Sequence, residues 1–166
     1  MGKLSELTGT DNYFEDFTVG QVFRHARGKT IEGLENVLIT NMVMNTAQAH
    51  FNEHAMQVAP IQMAVPITQR VSYGGVNFSV IMGLASQDCC ENALAELGMD
   101  NIRLLTPVVH GDTLYAYSEV LSTRDSDRED AGEVVFRHYG TNQRDEQVFQ
   151  GDRRVLLKRR SHWGDR

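Results

Sequence analysis

The sequence is poor in cysteine and has no long hydrophobic run. Its two cysteines, Cys89 and Cys90, are neighbours, and neighbouring cysteines rarely form a disulfide with each other. We therefore expect both to be reduced residues of a buried helix. No apolar run reaches the ~18 residues of a membrane span, and the start, MGKLSELTGTDNYF, lacks the apolar core of a signal peptide. These absences predict a cytoplasmic protein without a membrane partner.

Basic residues are also few, and they form no long run. The chain has 16 lysine and arginine residues against 22 aspartate and glutamate residues, which gives a net charge of −6 at pH 7. The short KRR at residues 158–160 is interpreted as the solvated end of a strand. We therefore expect no nucleic-acid partner. With 166 residues, 41% of them hydrophobic, the chain has the size and composition of one globular domain.

The first half of the chain is predicted to hold one strand, one helix and a long loop. Residues 1–12 are polar and irregular, which indicates a mobile N-terminal arm. A turn at TVGQ leads into a strand at residues 22–31. The apolar spacing from Leu34 to Met42 indicates a helix with acidic residues in its first turn. Residues 56–72 contain two prolines and no clear period, so we expect a loop there.

The second half is predicted to contain one long helix followed by strands. The segment VNFSVIMGLASQDCCENALAELG is apolar around most of a helix, which predicts a buried helix from Val76 to Leu97 that stops at Gly98. Strands in NIRLLTPVV and HGDTLYAYSEVLST then precede a hairpin around RDEQ. A long helix wrapped by a curved antiparallel sheet is an α+β hotdog fold, assigned to residues 13–160 with a C-terminal tail at 161–166. The exposed edge of such a sheet favours a homodimer or an assembly of dimers.

Polar residues are concentrated in MNTAQAHFNEHA, residues 44–55, directly after the first helix. Asn45 and His50 fall where side chains at a helix end can converge on a pocket, and histidine can take and return a proton near neutral pH. The YGG from Tyr73 to Gly75 opens the long helix, where backbone N–H groups and the helix dipole can stabilise negative charge on an oxygen. His50 and His54 have no further histidine or cysteine at ligand spacing, so no metal site is predicted.

Motifs along nearly the whole chain match one family. From YFEDFTVGQVF to RRVLL the sequence resembles the MaoC-like dehydratases, the hotdog family that includes the R-specific enoyl-CoA hydratases. The family's Arg-Phe-x-x-Pro-Val-x-x-Gly-Asp segment is matched by Arg103, Pro107, Val108, Gly111 and Asp112.

The chain departs from that family in the motif around His50. The family's catalytic aspartate is Asn45 here, its asparagine and proline are Ala47 and Gln48, and of its two acid–base residues only His50 is kept. The stretches NTAQAHFNEH, YGG and GDTLYAYSEVL are more specifically similar to the mesaconyl-CoA hydratase (β-methylmalyl-CoA dehydratase) branch, in which the asparagine is usual. Members of that branch commonly have two hotdog units, whereas this chain has room for one.

The resemblance implies reversible addition of water to the double bond of a short, branched, dicarboxylic acyl-CoA. Coenzyme A enters as part of the substrate, and no separate cofactor is expected. The implied roles are that His50 holds and deprotonates the water, that Asn45 hydrogen-bonds the water or the His50 ring, and that the Gly75 N–H binds the thioester oxygen. Substrate binding is expected from Asn52, Tyr73, Gly74, Arg70 and Arg103, with Glu53 and His54 as auxiliary acid or base.

Three alternatives stay open from the sequence. A hydratase for itaconyl-CoA or 3-methylglutaconyl-CoA would differ in pocket size and in the cation, Arg70 or Arg103, that meets the distal carboxylate. A non-catalytic acyl-CoA-binding hotdog protein is consistent with Asn45 in place of an acid. A hotdog thioesterase would need a carboxylate aimed at the thioester, for which Glu53 is the candidate.

Overall fold

A computed structural model describes residues 3–4 and 12–164, and these residues form a sheet around one long helix. The sheet has six strands in the order β1-β2-β4-β5-β6-β3, and every pairing is antiparallel except β1 with β2. The strands are β1 (Lys3–Leu4), β2 (Val22–Thr30), β3 (Ala93–Leu104), β4 (Thr113–Asp125), β5 (Ala131–Thr141) and β6 (Gln147–Lys158). The helices are α1 (Gly33–Met42), α2 (Glu53–Val58), α3 (Gly74–Cys89) and α4 (Arg160–Trp163).

The central helix α3 packs against β2, β4 and β5, which confirms the α+β hotdog prediction. Buried and partly covered residues alternate along β4, so one face of the sheet points into the core. Leu114 and Ala116 are buried, while the intervening Tyr115 and Tyr117 are only partly covered. The first half of α3 packs in a core with Leu114, and its last residue, Cys89, packs in a second core near the other end of the sheet. Among the described residues, no helix is long and apolar enough to cross a membrane.

The prediction for the long helix is wrong at its C-terminal end and in its burial. The helix ends at Cys89, and the predicted helical residues up to Leu97 fall largely in β3, which pairs with β6. Gly98 therefore lies inside a strand and does not stop a helix. Residues 93–97 have good helix formers, but pairing with a strand distant in sequence outweighs this local preference. The helix is also exposed along one side, where Gly83 lies.

Helix α1 lies where the apolar spacing predicts it, but its apolar residues face outward. Leu34, Leu38 and Met42 are 70%, 55% and 80% exposed. The buried residues of this helix are instead Asn36 and Thr40, at 3% and 0% exposure. A polar pair spaced by four residues therefore faces the protein interior.

The segments around these elements differ from the predictions in smaller ways. The predicted loop at 56–72 begins in α2 and contains a bridge between Ile61 and Ile67, and it ends in a bridge between Val71 and Val109. The strand predicted to reach Val109 ends at Leu104.

The sequence predicts a mobile N-terminal arm and a C-terminal tail, and the structure describes part of each. Of the predicted N-terminal arm, residues 1–2 and 5–11 lie outside the described residues, and Lys3–Leu4 pairs with β2. Of the predicted C-terminal tail, residues 161–163 belong to α4. The indole N–H of Trp163 donates to the carbonyl of Asp130 at 3.2 Å, which attaches α4 to the domain.

Candidate active site

His50 lies at the end of a short 3₁₀ helix, Gln48–His50, between α1 and α2. Its Nδ1 is 3.1 Å from the carbonyl oxygen of Val71, so Nδ1 carries the proton and donates it to that oxygen. The neutral ring then has its lone pair on Nε2. The ring lies edge-to-face against Tyr73, with 5.6 Å between ring centroids. The half-buried His50 is thus held as a base with a defined tautomer.

Tyr73 also borders the N-terminus of α3, and it connects His50 with that helix end. A Cβ placed on Gly75 would overlap the Tyr73 ring, and one placed on Gly74 would overlap the side chain of Leu104. A side chain at position 75 would therefore displace the Tyr73 ring, whereas one at position 74 would displace only the end of the exposed Leu104 side chain. The first N–H groups of a helix have no partner within it. Those of Gly74 and Gly75 are accordingly suited to binding an oxygen that gains negative charge.

Asn45 and Asn52 are engaged with the backbone of their own segment. The Asn45 Oδ1 accepts a hydrogen bond from the Ala47 N–H at 2.9 Å, which closes a tight turn. Val71, and not Asn45, is the residue that sets the His50 tautomer. Asn52 caps α2 by accepting from the Ala55 N–H, and its amide nitrogen donates to Gln48. Asn52 thus has a structural role, and its predicted role in substrate binding finds no support in these contacts.

Glu53 and Arg70 form an ion pair, with Arg70 Nε 2.8 Å from Glu53 Oε2. This contact with Arg70 lowers the pKa of the Glu53 carboxyl, so Glu53 is a poor proton donor at neutral pH. His54 is exposed. Arg103 is also exposed, and it precedes Leu104, whose side chain contacts Gly74. Since successive side chains of a strand point to opposite faces, Arg103 points away from the start of α3.

The buried Asn36 is a site residue that the sequence interpretation missed. Its amide nitrogen donates to the carbonyls of His50 and Val71 at 2.8 and 3.2 Å, and its Oδ1 accepts from the Tyr73 N–H at 2.7 Å. The available signal was the spacing of Asn36 four positions before Thr40, which places two small polar side chains on one face of the helix.

A second polar cluster is buried beneath the C-terminal half of α3. His25 Nδ1 donates to Asp88 at 2.5 Å, and the Ser118 hydroxyl lies 2.7 Å from both His25 Nε2 and His138 Nδ1. Ligand atoms of His25, Cys89 and His138 lie within 4.8 Å of one another. The Ser118 oxygen lies within hydrogen-bond distance of both rings and of the Cys89 thiol, whereas the buried Nε2 of His138 has no hydrogen-bond partner among the described residues.

Cys89 fits the predicted buried helix, but Cys90 does not, because α3 ends before it. Cys89 is the last residue of α3 and is buried, and Cys90 follows it and is half-buried. Burial raises the pKa of the Cys89 thiol and raises that of Cys90 to about 12. Both side chains are therefore thiols at neutral pH and are poor nucleophiles.

The buried His138 predicts a loss of stability in acid. Burial, with a smaller effect of the nearby Arg153 charge, lowers its pKa from 6.5 to about 3. Below pH 6.5 the unfolded chain binds a proton that the folded chain does not. The stabilisation is therefore complete above pH 6.5 and is lost as pH falls toward 3. As pH falls from 8 to 5, the binding of a proton to His138 in the unfolded chain alone should lower the free energy of unfolding by about 2 kcal/mol.

Urea unfolding of the wild type and of His138→Gln, at pH 8 and at pH 5, measures this effect. The glutamine variant should be less stable at pH 8 but should have a shallower pH dependence, since glutamine does not titrate. The same pH dependence in both proteins would show that His138 does not cause it.

A surface cleft of about 470 Å³ lies beside the site but does not include its central residues. It is lined by residues 63–69, Thr106, Pro107, Val109, Asp112, Arg144 and Glu146. Its lining residue Val109 bridges to Val71, whose carbonyl is the hydrogen-bond partner of His50.

A comparison with protein-family models decides the family. The model described as mesaconyl-CoA hydratase matches residues 5–159. The chain belongs to the mesaconyl-CoA hydratase family. This confirms the resemblance inferred from NTAQAHFNEH and YGG, and it places His50 and the α3 N-terminus within a match that covers nearly the whole chain.

Several proteins related to this member of the mesaconyl-CoA hydratase family are longer than it. A β-methylmalyl-CoA dehydratase from Chloroflexus aurantiacus is 32% identical over 114 residues, which cover 69% of this chain and 30% of the relative. The structure of a MaoC domain protein dehydratase from the same organism superposes with a TM-score of 0.81 at 29% identity, covering 92% of this chain and 46% of that one. A double hotdog protein from Mycobacterium tuberculosis gives a TM-score of 0.75 at 24% identity, with 93% and 46% coverage. This chain thus spans less than half the length of the curated relatives it matches.

Proposed function

We propose that the chain carries the catalytic site of an enoyl-CoA hydratase for short, branched, dicarboxylic acyl groups of the mesaconyl-CoA type. The observation that carries this proposal is the tautomer of His50. With its Nδ1 proton bound by the Val71 carbonyl, Nε2 is left as a base. Tyr73 contacts both this ring and Gly75 at the start of α3, so one side chain lies against the base and the N–H donors.

This arrangement accounts for both halves of the reaction. His50 Nε2 takes a proton from water as the water oxygen forms a bond to the β-carbon of the enoyl thioester. The electron pair of the double bond moves toward the thioester, and the oxygen gains negative charge, which the N–H groups at the start of α3 stabilise. The protonated His50 then returns the proton to the α-carbon. One group thus performs both proton transfers, and the reverse sequence removes water.

A dicarboxylic substrate is favoured by the position of Arg70. This residue directly precedes Val71, the hydrogen-bond partner of His50. Glu53 accepts from Arg70 Nε and from its backbone N–H. Within residues 12–164, neither terminal nitrogen of the Arg70 guanidinium has a hydrogen-bond partner. They are donors for the distal carboxylate of the substrate, which would bind there in a planar, charge-assisted contact.

Incubation with crotonyl-CoA, mesaconyl-CoA, itaconyl-CoA and 3-methylglutaconyl-CoA tests the proposal. The loss of enoyl-thioester absorbance measures hydration, and a thiol reagent measures hydrolysis. We expect hydration to be fastest with mesaconyl-CoA and no release of thiol. Thiol release would indicate a thioesterase, although Glu53 is bound by Arg70 and is poorly placed for that chemistry. Binding without any reaction would indicate a non-catalytic acyl-CoA-binding protein.

We also propose that a second hotdog unit, supplied by another copy of this chain, pairs at the edge strand β3. This strand ends the sheet, and its apolar residues Met99, Ile102 and Leu104 are 36%, 48% and 54% exposed. An apolar sheet edge is normally covered. Leu104 contacts Gly74, so the paired unit would also cover the side of the candidate site. The relatives of about twice the length and the double hotdog neighbour support this arrangement.

Light scattering on the eluate of a size-exclusion column should therefore give twice the mass of one chain. Ile102→Lys should shift the mass to that of a monomer and lower hydration, because it puts a charge in the apolar edge. Val19→Lys, at a residue that is 57% exposed outside this strand, is the matched control and should change neither property. A wild-type monomer with full activity would contradict the proposal.

A further inference from the structure

The amide side chain of Asn36 connects three parts of the candidate site. It projects from α1 into the protein, where it is 3% exposed. Its Nδ2 donates to the carbonyl oxygens of His50 and Val71, and its Oδ1 accepts from the Tyr73 N–H. All three contacts have hydrogen-bond lengths of 2.7–3.2 Å. Only one orientation of the amide satisfies two carbonyls and one N–H, so the donor and acceptor atoms are unambiguous.

The contact with Val71 links Asn36 to the ring of His50. The carbonyl oxygen of Val71 accepts from both Asn36 Nδ2 and His50 Nδ1. A carbonyl oxygen has two lone pairs and can hold both bonds at once. Asn36 thereby fixes the position of the oxygen that sets the tautomer of His50. Through its bond to the His50 carbonyl it also fixes the backbone that carries the ring.

The contact with Tyr73 links Asn36 to the oxygen-binding end of α3. Tyr73 is the residue that precedes the first turn of α3, and its N–H donates to Asn36 at 2.7 Å. The position of Tyr73 in turn determines the packing of its ring against His50 and Gly75. A single buried amide thus sets the relative positions of the base and the N–H donors.

We propose that Asn36 is a positioning residue for the hydration reaction, acting through the tautomer of His50 and the placement of Tyr73. This inference rests on the proposed function for its kinetic consequence, but the tautomer of His50 can be measured without substrate. Misplacing a catalytic group by about 1 Å can cost on the order of 100-fold in rate. Because the Val71 carbonyl can still accept from His50 Nδ1 for part of the time when Asn36 is replaced, we expect a smaller loss.

Asn36→Asp is the sharpest variant because it has nearly the same shape. The carboxylate can still accept from the Tyr73 N–H, but at neutral pH it cannot donate to the two carbonyls. We expect kcat to fall about 10-fold while KM changes less than about 3-fold, since the substrate-contacting groups are kept. The ¹⁵N spectrum of the histidine side chains should show His50 in the Nδ1–H tautomer in the wild type and in a mixture of tautomers in the variant. Asn36→Ser supplies a second variant if Asn36→Asp does not fold.

Thr40→Val is the matched control. Thr40 lies one turn along the same helix, is fully buried, and donates its hydroxyl proton to the carbonyl of Asn36. The valine variant should lower the melting temperature by weakening α1, but it should leave kcat within about 2-fold and the His50 tautomer unchanged, since the Asn36 amide is intact. If Thr40→Val lowers kcat as much as Asn36→Asp, the role of Asn36 is only structural.

The two parts of the test separate the inference from the proposed function. A wild type that hydrates no enoyl-CoA, with a tautomer that changes in Asn36→Asp, would overturn the proposed function and support the positioning role. An active wild type whose Asn36 variants keep the His50 tautomer and kcat would overturn the inference alone. A wild type in which His50 is protonated on Nε2 would also overturn it, whether or not any variant folds.

Discussion

His50→Ala is expected to lower the rate of hydration by at least about 100-fold, the usual minimum contribution of a general acid–base group. The reason is that the proposed mechanism uses Nε2 of this ring for both proton transfers. Its candidate helpers cannot replace it, since Glu53 is ion-paired with Arg70 and His54 is exposed. The measurement is kcat/KM on the best enoyl-CoA, together with a thermal unfolding curve to show that the variant is folded.

Two further variants sharpen this test. His50→Asn keeps an amide donor for the Val71 carbonyl but has no base, so it should be as inactive as alanine if proton transfer is the role of His50. His162→Ala replaces an exposed histidine in α4 and should keep the wild-type rate. Retention of more than about a tenth of the wild-type rate by His50→Ala would place the proton transfers on another residue.

Gly75→Ala is expected to lower kcat by about 100-fold, comparable to the loss of one hydrogen-bond donor from an oxyanion site. A Cβ at this position would overlap the Tyr73 ring, so the ring or the first turn of α3 must move. Either movement changes the distance between the N–H donors and the His50 base. Because the loss arises in transition-state stabilisation, we expect it to appear mainly in kcat.

Gly83→Ala provides the control for the same substitution in the same helix. Position 83 is exposed, and a Cβ there would meet no atom within 4 Å. Alanine is the better helix former, so this variant should be about 0.5–1 kcal/mol more stable than the wild type and fully active. Equal activity of the two alanine variants would show that the close approach of Tyr73 to Gly75 is not needed for catalysis.

The structure qualifies the residue roles implied by the family resemblance. The Tyr73 ring contacts the His50 ring and also lies close to Gly75. Asn45, by contrast, accepts the Ala47 N–H with its side-chain oxygen in a local turn, which leaves its amide nitrogen and one lone pair of that oxygen for other partners. The hydrogen-bond partners within the segments that the resemblance indicates depend on how the chain folds.

The sequence by itself determined the family, the hotdog class and the strands β4, β5 and β6. Alternating apolar residues in β4 and the turn residues between β5 and β6 are local signals, and each was sufficient to predict its element. The family also followed from sequence, because the order of short motifs from YFEDFTVGQVF to RRVLL resembles one family, and the family model matches residues 5–159.

Only the tertiary structure decided where α3 ends, which side of α1 is buried, and what holds His50. The boundary at Cys89 depends on pairing of β3 with β6, whose free energy comes from residues far away in sequence. Which side of α1 is buried depends on the carbonyls of His50 and Val71 and on the N–H of Tyr73. These groups need hydrogen-bond partners inside the protein, and the Asn36 amide supplies them. Such requirements come from segments that meet only after folding, so the spacing of Asn36 and Thr40 indicates a polar face on α1 but not the groups to which that face bonds.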